Sequence, residues 1–281
     1  IPGLRFNVEL QLPGALCAST PIAKDPKELS KSFQKKQTTQ ELCSVNLASA
    51  RHCFEGIGNV KGSLIGAKIG ERSVGVMVSQ VGSADQSFGP SVQNGNPDLV
   101  VMTVEMPCSQ AAQLDIARVP SPEEIKALFQ NDSIPLVMQQ NSAINASEEG
   151  GNRATIAATG SVDGNFIRFN SKSRFNGTSG QDVGPLSSSA GLVFDSNRIK
   201  SGDSGGSGLT CKLKDGKVEE VLYLGAISHI DVRKDRDEGK LGGVASGQSL
   251  LNLSRRFWGD ERSLASRGGQ TRPSNNPDHG S

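Results

Sequence analysis

Short apolar stretches and alternating stretches follow one another along most of the chain, separated by turns rich in Gly, Ser, Asn and Pro. Residues 6–11 (FNVELQ) alternate apolar and polar side chains, as a half-buried strand does, and residues 74–81 (VGVMVSQV) are apolar enough for a core strand. Many short strands and few helices predict an all-β barrel or sandwich. The predicted strands lie at 6–11, 15–20, 45–50, 74–81, 99–104, 154–159, 165–169, 191–194, 221–228 and 243–245.

Four segments depart from the strand pattern. Residues 120–130 (PSPEEIKALFQ) predict a helix, because a capping Ser is followed three positions later by Glu, and residues 248–258 predict a terminal helix. The Lys-rich segment 21–42 indicates a charged surface insertion, with a short helix between Pro26 and Phe33. The polar tail, residues 259–281, is predicted to be disordered.

Composition narrows the classes of protein that fit this pattern. The chain has 281 residues, and 30 Lys and Arg against 29 Asp and Glu give a net charge of +1, so no strong basic field indicates nucleic acid binding. No apolar run is long enough for a membrane-spanning helix. The five cysteines are dispersed and form no C-x-x-C pair, which argues against a zinc ribbon and suits an exported protein with a few disulfides and one leftover thiol.

The pentapeptide Gly202–Gly206 (GDSGG) is the segment that indicates chemistry. Flanking glycines allow a tight turn in which backbone N–H groups converge, and such a turn can present the central Ser204 as a nucleophile beside an oxyanion site. A serine hydroxyl also needs a base. The chain has only three histidines, which are His52, His229 and His279.

Together with two further boxes, this segment resembles the chymotrypsin-like (trypsin-fold) serine protease family. Residues 48–53 (ASARHC) resemble the family's T-A-A-H-C box, with Arg51 departing from the usual small residue, and residues 98–102 (DLVVM) resemble its D-I-A-L-L box. The chain order His52, Asp98, Ser204 is the family's order. The resemblance implies that His52 is the general base, Asp98 orients it, and Ser204 is the nucleophile. It places the oxyanion donors at the N–H groups of Gly202 and Ser204.

The resemblance also implies a fold and a domain division. The expected fold is two six-stranded antiparallel β-barrels of the chymotrypsin type with a C-terminal helix. Residues 1–125 would form the first barrel, 126–258 the second barrel and helix, and 259–281 the tail.

Substrate-binding positions follow from the same comparison. Residues 228–230 (SHI) resemble the family's S-W-G segment, so Ser228, His229 and Ile230 are expected along the cleft, and Gly243 is expected on a pocket wall. Arg198 falls at the pocket floor, which favours acidic substrate side chains. Two alternatives stay open: a shift of register would put Asp195 at the floor, and His229 could replace His52 as the base.

Cysteine pairing and activation are further implications of the family. Cys53 is expected to bridge to Cys17, with Cys43 as a competing partner, and Cys211 would pair with Cys108 or Cys43. The Ile1 amine would pair with Asp203 if Ile1 were an activation product; a signal-peptidase product is the other interpretation.

As a whole, the resemblance implies a secreted or periplasmic endopeptidase. Such an enzyme acts as a monomer on proteins or peptides, needs no cofactor or metal, does not span a membrane, and is a target for proteinaceous inhibitors. Two other hypotheses compete with it. One is a catalytically silent, protease-like binding module, and the other is an unrelated β-sandwich with a chance GDSGG.

Overall fold

The first six strands of the chain close into one antiparallel barrel. In order, they are β1 (Val8–Leu12), β2 (Ala15–Ala23), β3 (Leu42–Ser49), β4 (Leu64–Ile69), β5 (Arg72–Ser83) and β6 (Val100–Pro107). They pair in the order β1–β4–β5–β6–β3–β2, and β2 pairs back to β1. The computed structural model describes residues 6–37, 41–54, 57, 61–69, 72–83, 98–130, 133–139, 155–156, 167–170, 191–195, 203–232, 240–245 and 248–259.

Alternation along these strands fills the barrel. Every second residue of β1 and β6 belongs to one buried apolar cluster. This packing explains why the alternation along residues 6–11 predicted a strand. The members from these two strands are Val8, Leu10, Leu12, Val100, Met102, Val104 and Met106. A closed barrel leaves no unpaired edge, and its outer face is free to pack against the second half of the chain.

Among the described residues, the second half of the chain forms an antiparallel sheet of seven strands, which are β8 (Ser133–Gln139), β9 (Thr155–Ile156), β10 (Ile167–Asn170), β11 (Gly191–Asp195), β12 (Ser207–Lys214), β13 (Lys217–Val232) and β14 (Lys240–Ala245). A short strand, β7 (Ala117–Arg118), pairs with both β2 and β13 and joins this sheet to the barrel. The strand order is β10–β8–β12–β13–β14–β11. Strand β9 pairs with the last residues of β8. Within the residues that the structure describes, no pairing joins β10 to β11, so a second closed barrel stays a prediction.

Three of the four helices that the structure describes lie where the sequence predicts them, and the short helix Cys108–Ala111 was not predicted. The helices are α1 (Pro26–Lys36), α2 (Cys108–Ala111), α3 (Pro122–Gln130) and α4 (Gln248–Trp258). Helix α1 lies in the charged insertion, continues past Phe33, and buries that side chain. Helix α3 starts at the predicted capping box: the Ser121 hydroxyl accepts from the Glu124 N–H, and the Glu124 carboxylate accepts from the Ser121 N–H.

The predicted tail lies outside the described residues from position 260 onward. Of the helices that the structure describes, none has the length and apolar character needed to cross a membrane.

A buried arginine ties α3 to the second sheet. The Arg118 guanidinium binds Glu124 through two hydrogen bonds of 2.8 and 2.7 Å, and it also binds Glu220. Lys212 adds a further contact to Glu124. The hydrogen bonds from Arg118 lower the pKa of Glu124 from 4.5 to about 2. The carboxylate is therefore more stable as an anion in the folded protein than in the unfolded chain.

Glu124→Gln is expected to lower the free energy of unfolding by about 1–2 kcal/mol near neutral pH, because buried Arg118 keeps only one carboxylate partner. Since folding lowers the pKa of Glu124, its stabilisation is complete above pH 4.5 and is lost as the pH falls toward about 2. Urea unfolding across this range should show the variant and the parent converging in acid. The control is Glu219→Gln, whose exposed side chain is 3.9 Å from Lys214; a constant difference at all pH values would contradict the assignment.

Candidate active site

Both oxygens of the Asp98 carboxylate hold His52. Oδ1 accepts from the His52 backbone N–H at 2.8 Å, and Oδ2 lies 2.7 Å from Nδ1 of the imidazole. The Asp98 side chain is 3% exposed, and that of His52 is 31% exposed. One carboxylate therefore fixes the position of the ring and the nitrogen that carries the proton, while the ring itself reaches solvent.

Strand register explains why these residues meet. Ser49 at the end of β3 pairs with Val100 at the start of β6. Continuing that antiparallel register brings residue 98 alongside residue 51, so the single 3-10 turn Arg51–Phe54 presents His52 to Asp98. The barrel thereby brings together His52 and Asp98, which lie 46 positions apart in the sequence.

The GDSGG segment forms a tight turn against the barrel. The Ser204 carbonyl accepts from the Ala18 N–H at 2.8 Å, the Gly205 N–H donates to Ile227 at 2.7 Å, and the Gly206 N–H donates to Asp203 at 2.9 Å. Asp203 is buried and Ser204 is half-buried. These bonds fix the Ser204 backbone between β2 of the barrel and β13 of the second sheet.

Gly205 occupies a position where a side chain cannot fit. Its φ is +84°, and a Cβ built on it would lie 2.0 Å from the Ala18 carbonyl oxygen and 2.3 Å from the Ser49 hydroxyl. The same hydroxyl donates to the Ala18 carbonyl. The close approach of the turn to β2 therefore requires glycine at this position.

The disulfide Cys17–Cys53 joins the two parts of the site. Cys17 precedes Ala18, which holds Ser204, and Cys53 follows His52. The sulfur of Cys53 lies 3.9 Å from the Ser204 carbonyl oxygen. The histidine and the serine are thus brought to the same corner of the molecule, and the predicted pairing of Cys53 with Cys17 is confirmed.

The second disulfide differs from the expectation. Cys43 pairs with Cys108, so the predicted pairing of Cys211 with either of them is wrong, and Cys211 is the free thiol. Register explains the difference: Cys43 lies opposite Met106, which brings it beside the start of α2, whereas Cys211 lies on β12 opposite Val221. Burial raises the pKa of the Cys211 thiol.

The two disulfides make a matched pair for a test. They close spans of 36 and 65 residues, so the chain-entropy estimate gives each about 4 kcal/mol of stability. Replacing both cysteines of either pair by Ser should lower stability by similar amounts. Only the Cys17/Cys53 double variant should also lose reactivity at Ser204, because only that bridge adjoins it. Equal reactivity of the two folded double variants would contradict this role.

Some of the predicted substrate-binding residues lie in the part of the chain that the structure describes, and others do not. Ser228, His229 and Ile230 lie on β13 directly after Ile227, whose backbone binds the GDSGG turn. Gly243 on β14 lies opposite His229 in the strand register. Arg198 and Gly202, the latter a predicted oxyanion donor, lie outside the described residues, as does Ile1.

Two buried side chains with a bearing on this site were not predicted from the sequence. Arg51, noted only as a departure from the family box, is 4% exposed beside His52. Tyr223 on β13 is fully buried; burial first, and the negative charge of Asp98 second, raise its pKa well above the usual range. An apolar strand such as 221–228 gives no sign that the charge of a carboxylate acts on its tyrosine.

Among the residues that the structure describes, no group of three or more His, Cys, Asp or Glu side chains is arranged to bind a metal ion.

A comparison with models of known protein families finds no match, and no curated protein matches the chain.

Proposed function

We propose that this protein is a serine endopeptidase in which His52, Asp98 and Ser204 form the catalytic triad. One observation carries the proposal: the buried carboxylate of Asp98 holds both the backbone N–H and Nδ1 of His52, at 2.8 and 2.7 Å. A carboxylate so placed keeps the proton on Nδ1. Nε2 is then free to accept a proton, as a general base requires.

The chemistry follows from that assignment. Nε2 of His52 takes the hydroxyl proton of Ser204 as Oγ attacks the peptide carbonyl, and Asp98 stabilises the imidazolium that forms. The imidazolium then gives the proton to the leaving amine, which breaks the C–N bond and leaves an acyl-enzyme. Water, deprotonated by the same imidazole, releases the acid and restores Ser204.

The backbone around Ser204 supports the electrostatic part of the mechanism. Four backbone hydrogen bonds hold the turn, and they join Ala18 to Ser204, Gly205 and Gly206 to Ile227, and Gly206 to Asp203. Because the turn is held in this way, its N–H groups need little reorganisation during reaction. We assign the oxyanion site to the N–H groups of Ser204 and Gly202.

We extend the proposal to the fold and the cleft. The closed barrel supports a chymotrypsin-like architecture, in which residues 126–258 complete a second barrel. The segment Ser228–Ile230, with Gly243 opposite, would line the substrate cleft, and Arg198 would favour acidic side chains. Two disulfides suit an exported protein, because thiols stay reduced in most cytosols.

Cleavage of a diverse peptide mixture, followed by mass spectrometry, tests the proposed activity. The parent protein should cleave internal peptide bonds, and Ser204→Ala and His52→Ala should each remove that cleavage. Ser32→Ala, on the exposed side of α1, is the matched serine control and should cleave as the parent does. A folded parent protein that cleaves nothing would overturn the proposal in favour of a silent binding module.

A further inference from the structure

The hydroxyl of Tyr223 is buried and has no hydrogen-bond partner in the part of the chain that the structure describes. Tyr223 is the only tyrosine of the chain, and its side chain is 0% exposed. Burying an unsatisfied hydroxyl is costly, and most such groups bind another polar group or an ordered water. The hydroxyl therefore needs a partner in its surroundings.

Tyr223 belongs to the same apolar cluster as the residue that follows Asp98. Tyr223 packs in the apolar cluster between the barrel and the second sheet, together with Ala48 of β3 and Leu99 at the start of β6. Leu99 directly follows Asp98, which is itself 4% exposed. The charge of Asp98 contributes to the raised pKa of Tyr223, as expected for two groups close together in a weakly polarisable interior.

We propose that Tyr223 is a positioning residue for Asp98, and that its hydroxyl donates a hydrogen bond to the Asp98 carboxylate through one ordered water. This inference rests on the proposed function, in which Asp98 orients His52. A buried water needs at least two polar partners, and the phenol and the carboxylate supply them. The bridge holds the carboxylate against rotation, so that one oxygen stays on the His52 N–H and the other on Nδ1.

A double-mutant cycle on stability tests the coupling without relying on proteolysis. Tyr223→Phe should raise the unfolding equilibrium constant about ten-fold in the parent protein, because it removes a hydrogen bond to a charged group. In the Asp98→Asn background the same change should have a smaller effect, of about three-fold, because a neutral amide forms a weaker hydrogen bond than a carboxylate does. A structural tyrosine with an orphan hydroxyl predicts equal effects in both backgrounds, and that result would overturn the proposal.

Ser254→Ala is the matched control for hydroxyl removal. Ser254 is fully buried on α4 and donates to the Pro120 carbonyl, so its loss should have the same effect in the parent and in the Asp98→Asn background. If the Asp98→Asn protein does not fold, a second measurement decides instead. The pKa of His52 is then followed by NMR in Tyr223→Phe and compared with that in the parent protein. Without the hydroxyl, more of the carboxylate charge acts on the imidazolium, so this pKa should rise by about 0.5. An unchanged value would contradict the bridge.

The stability cycle and the pKa of His52 can both be measured without proteolysis. If the protein shows the coupling but cleaves no peptide, the Tyr223–Asp98 bridge stands and the protease assignment fails. If the protein cleaves peptides but shows no coupling, only the bridge fails.

Discussion

Asp98→Asn is expected to lower kcat by about 10⁴-fold near neutral pH while the protein stays folded. The reason lies in the two bonds of the carboxylate. Oδ1 accepts from the His52 backbone N–H, and the single oxygen of Asn should keep that position. The amide NH₂ then faces Nδ1, which must act as an acceptor. The proton moves to Nε2, and the ring can no longer take the proton of Ser204 as the proposed mechanism requires.

The measurement is steady-state hydrolysis of a peptide substrate by the folded variant, with folding checked by circular dichroism. Asp25→Asn is the matched control. Asp25 caps α1 through a hydrogen bond from the Glu28 N–H, and Asn caps as well as Asp does, so neither activity nor stability should change. A kcat for Asp98→Asn within about ten-fold of the parent would contradict the tautomer argument.

Gly205→Ala should have the largest effect on stability of any conservative change at the site. An alanine Cβ would lie 2.0 Å from the Ala18 carbonyl oxygen, which is backbone and cannot turn aside. Either the turn moves away from β2, which breaks the Ala18–Ser204 hydrogen bond, or the barrel distorts. We expect a loss of at least about 3–4 kcal/mol, combining positive-φ strain with the clash.

Gly216→Ala separates the two contributions to that loss. Gly216 also has a positive φ, of +73°, at the tip of the β12–β13 hairpin, but a Cβ there meets nothing within 4 Å. Its substitution should cost only about 1–2 kcal/mol of left-handed strain. Denaturant unfolding of the two variants gives the difference. Equal losses would show that contact with Ala18 does not constrain the Gly205 turn.

Local pattern predicted the elements that have strong local signals. Helix α4 occurs at the predicted residues, and the capping box of α3 forms its two expected hydrogen bonds. Strand β4 was missed because its exposed positions are not all polar: Leu64 is 75% exposed at the start of the strand and blurs the alternation. Strand β8 (SIPLVMQ) was missed as well, since it contains a proline, which argues against a strand in the interior of a sheet.

Contacts between distant parts of the chain were predictable only in part. The order of His52, Asp98 and Ser204 came from short boxes, and the barrel register brings the first two together. The Cys43–Cys108 bridge depends on the β3–β6 register, which the spacing of cysteines does not encode. The burial of Tyr223 near Asp98 depends on the packing of the second sheet against the barrel, which no local pattern reports.

Labelling with a fluorophosphonate, with the modified residue mapped by mass spectrometry, tests the central claim most directly, because the reagent reacts with a serine only when a base activates it. The proposed triad predicts modification at Ser204 in the parent and in Ser32→Ala, and none in His52→Ala. Folded parent protein that stays unlabelled, or a label on another residue, would contradict the assignment of Ser204 as an activated nucleophile.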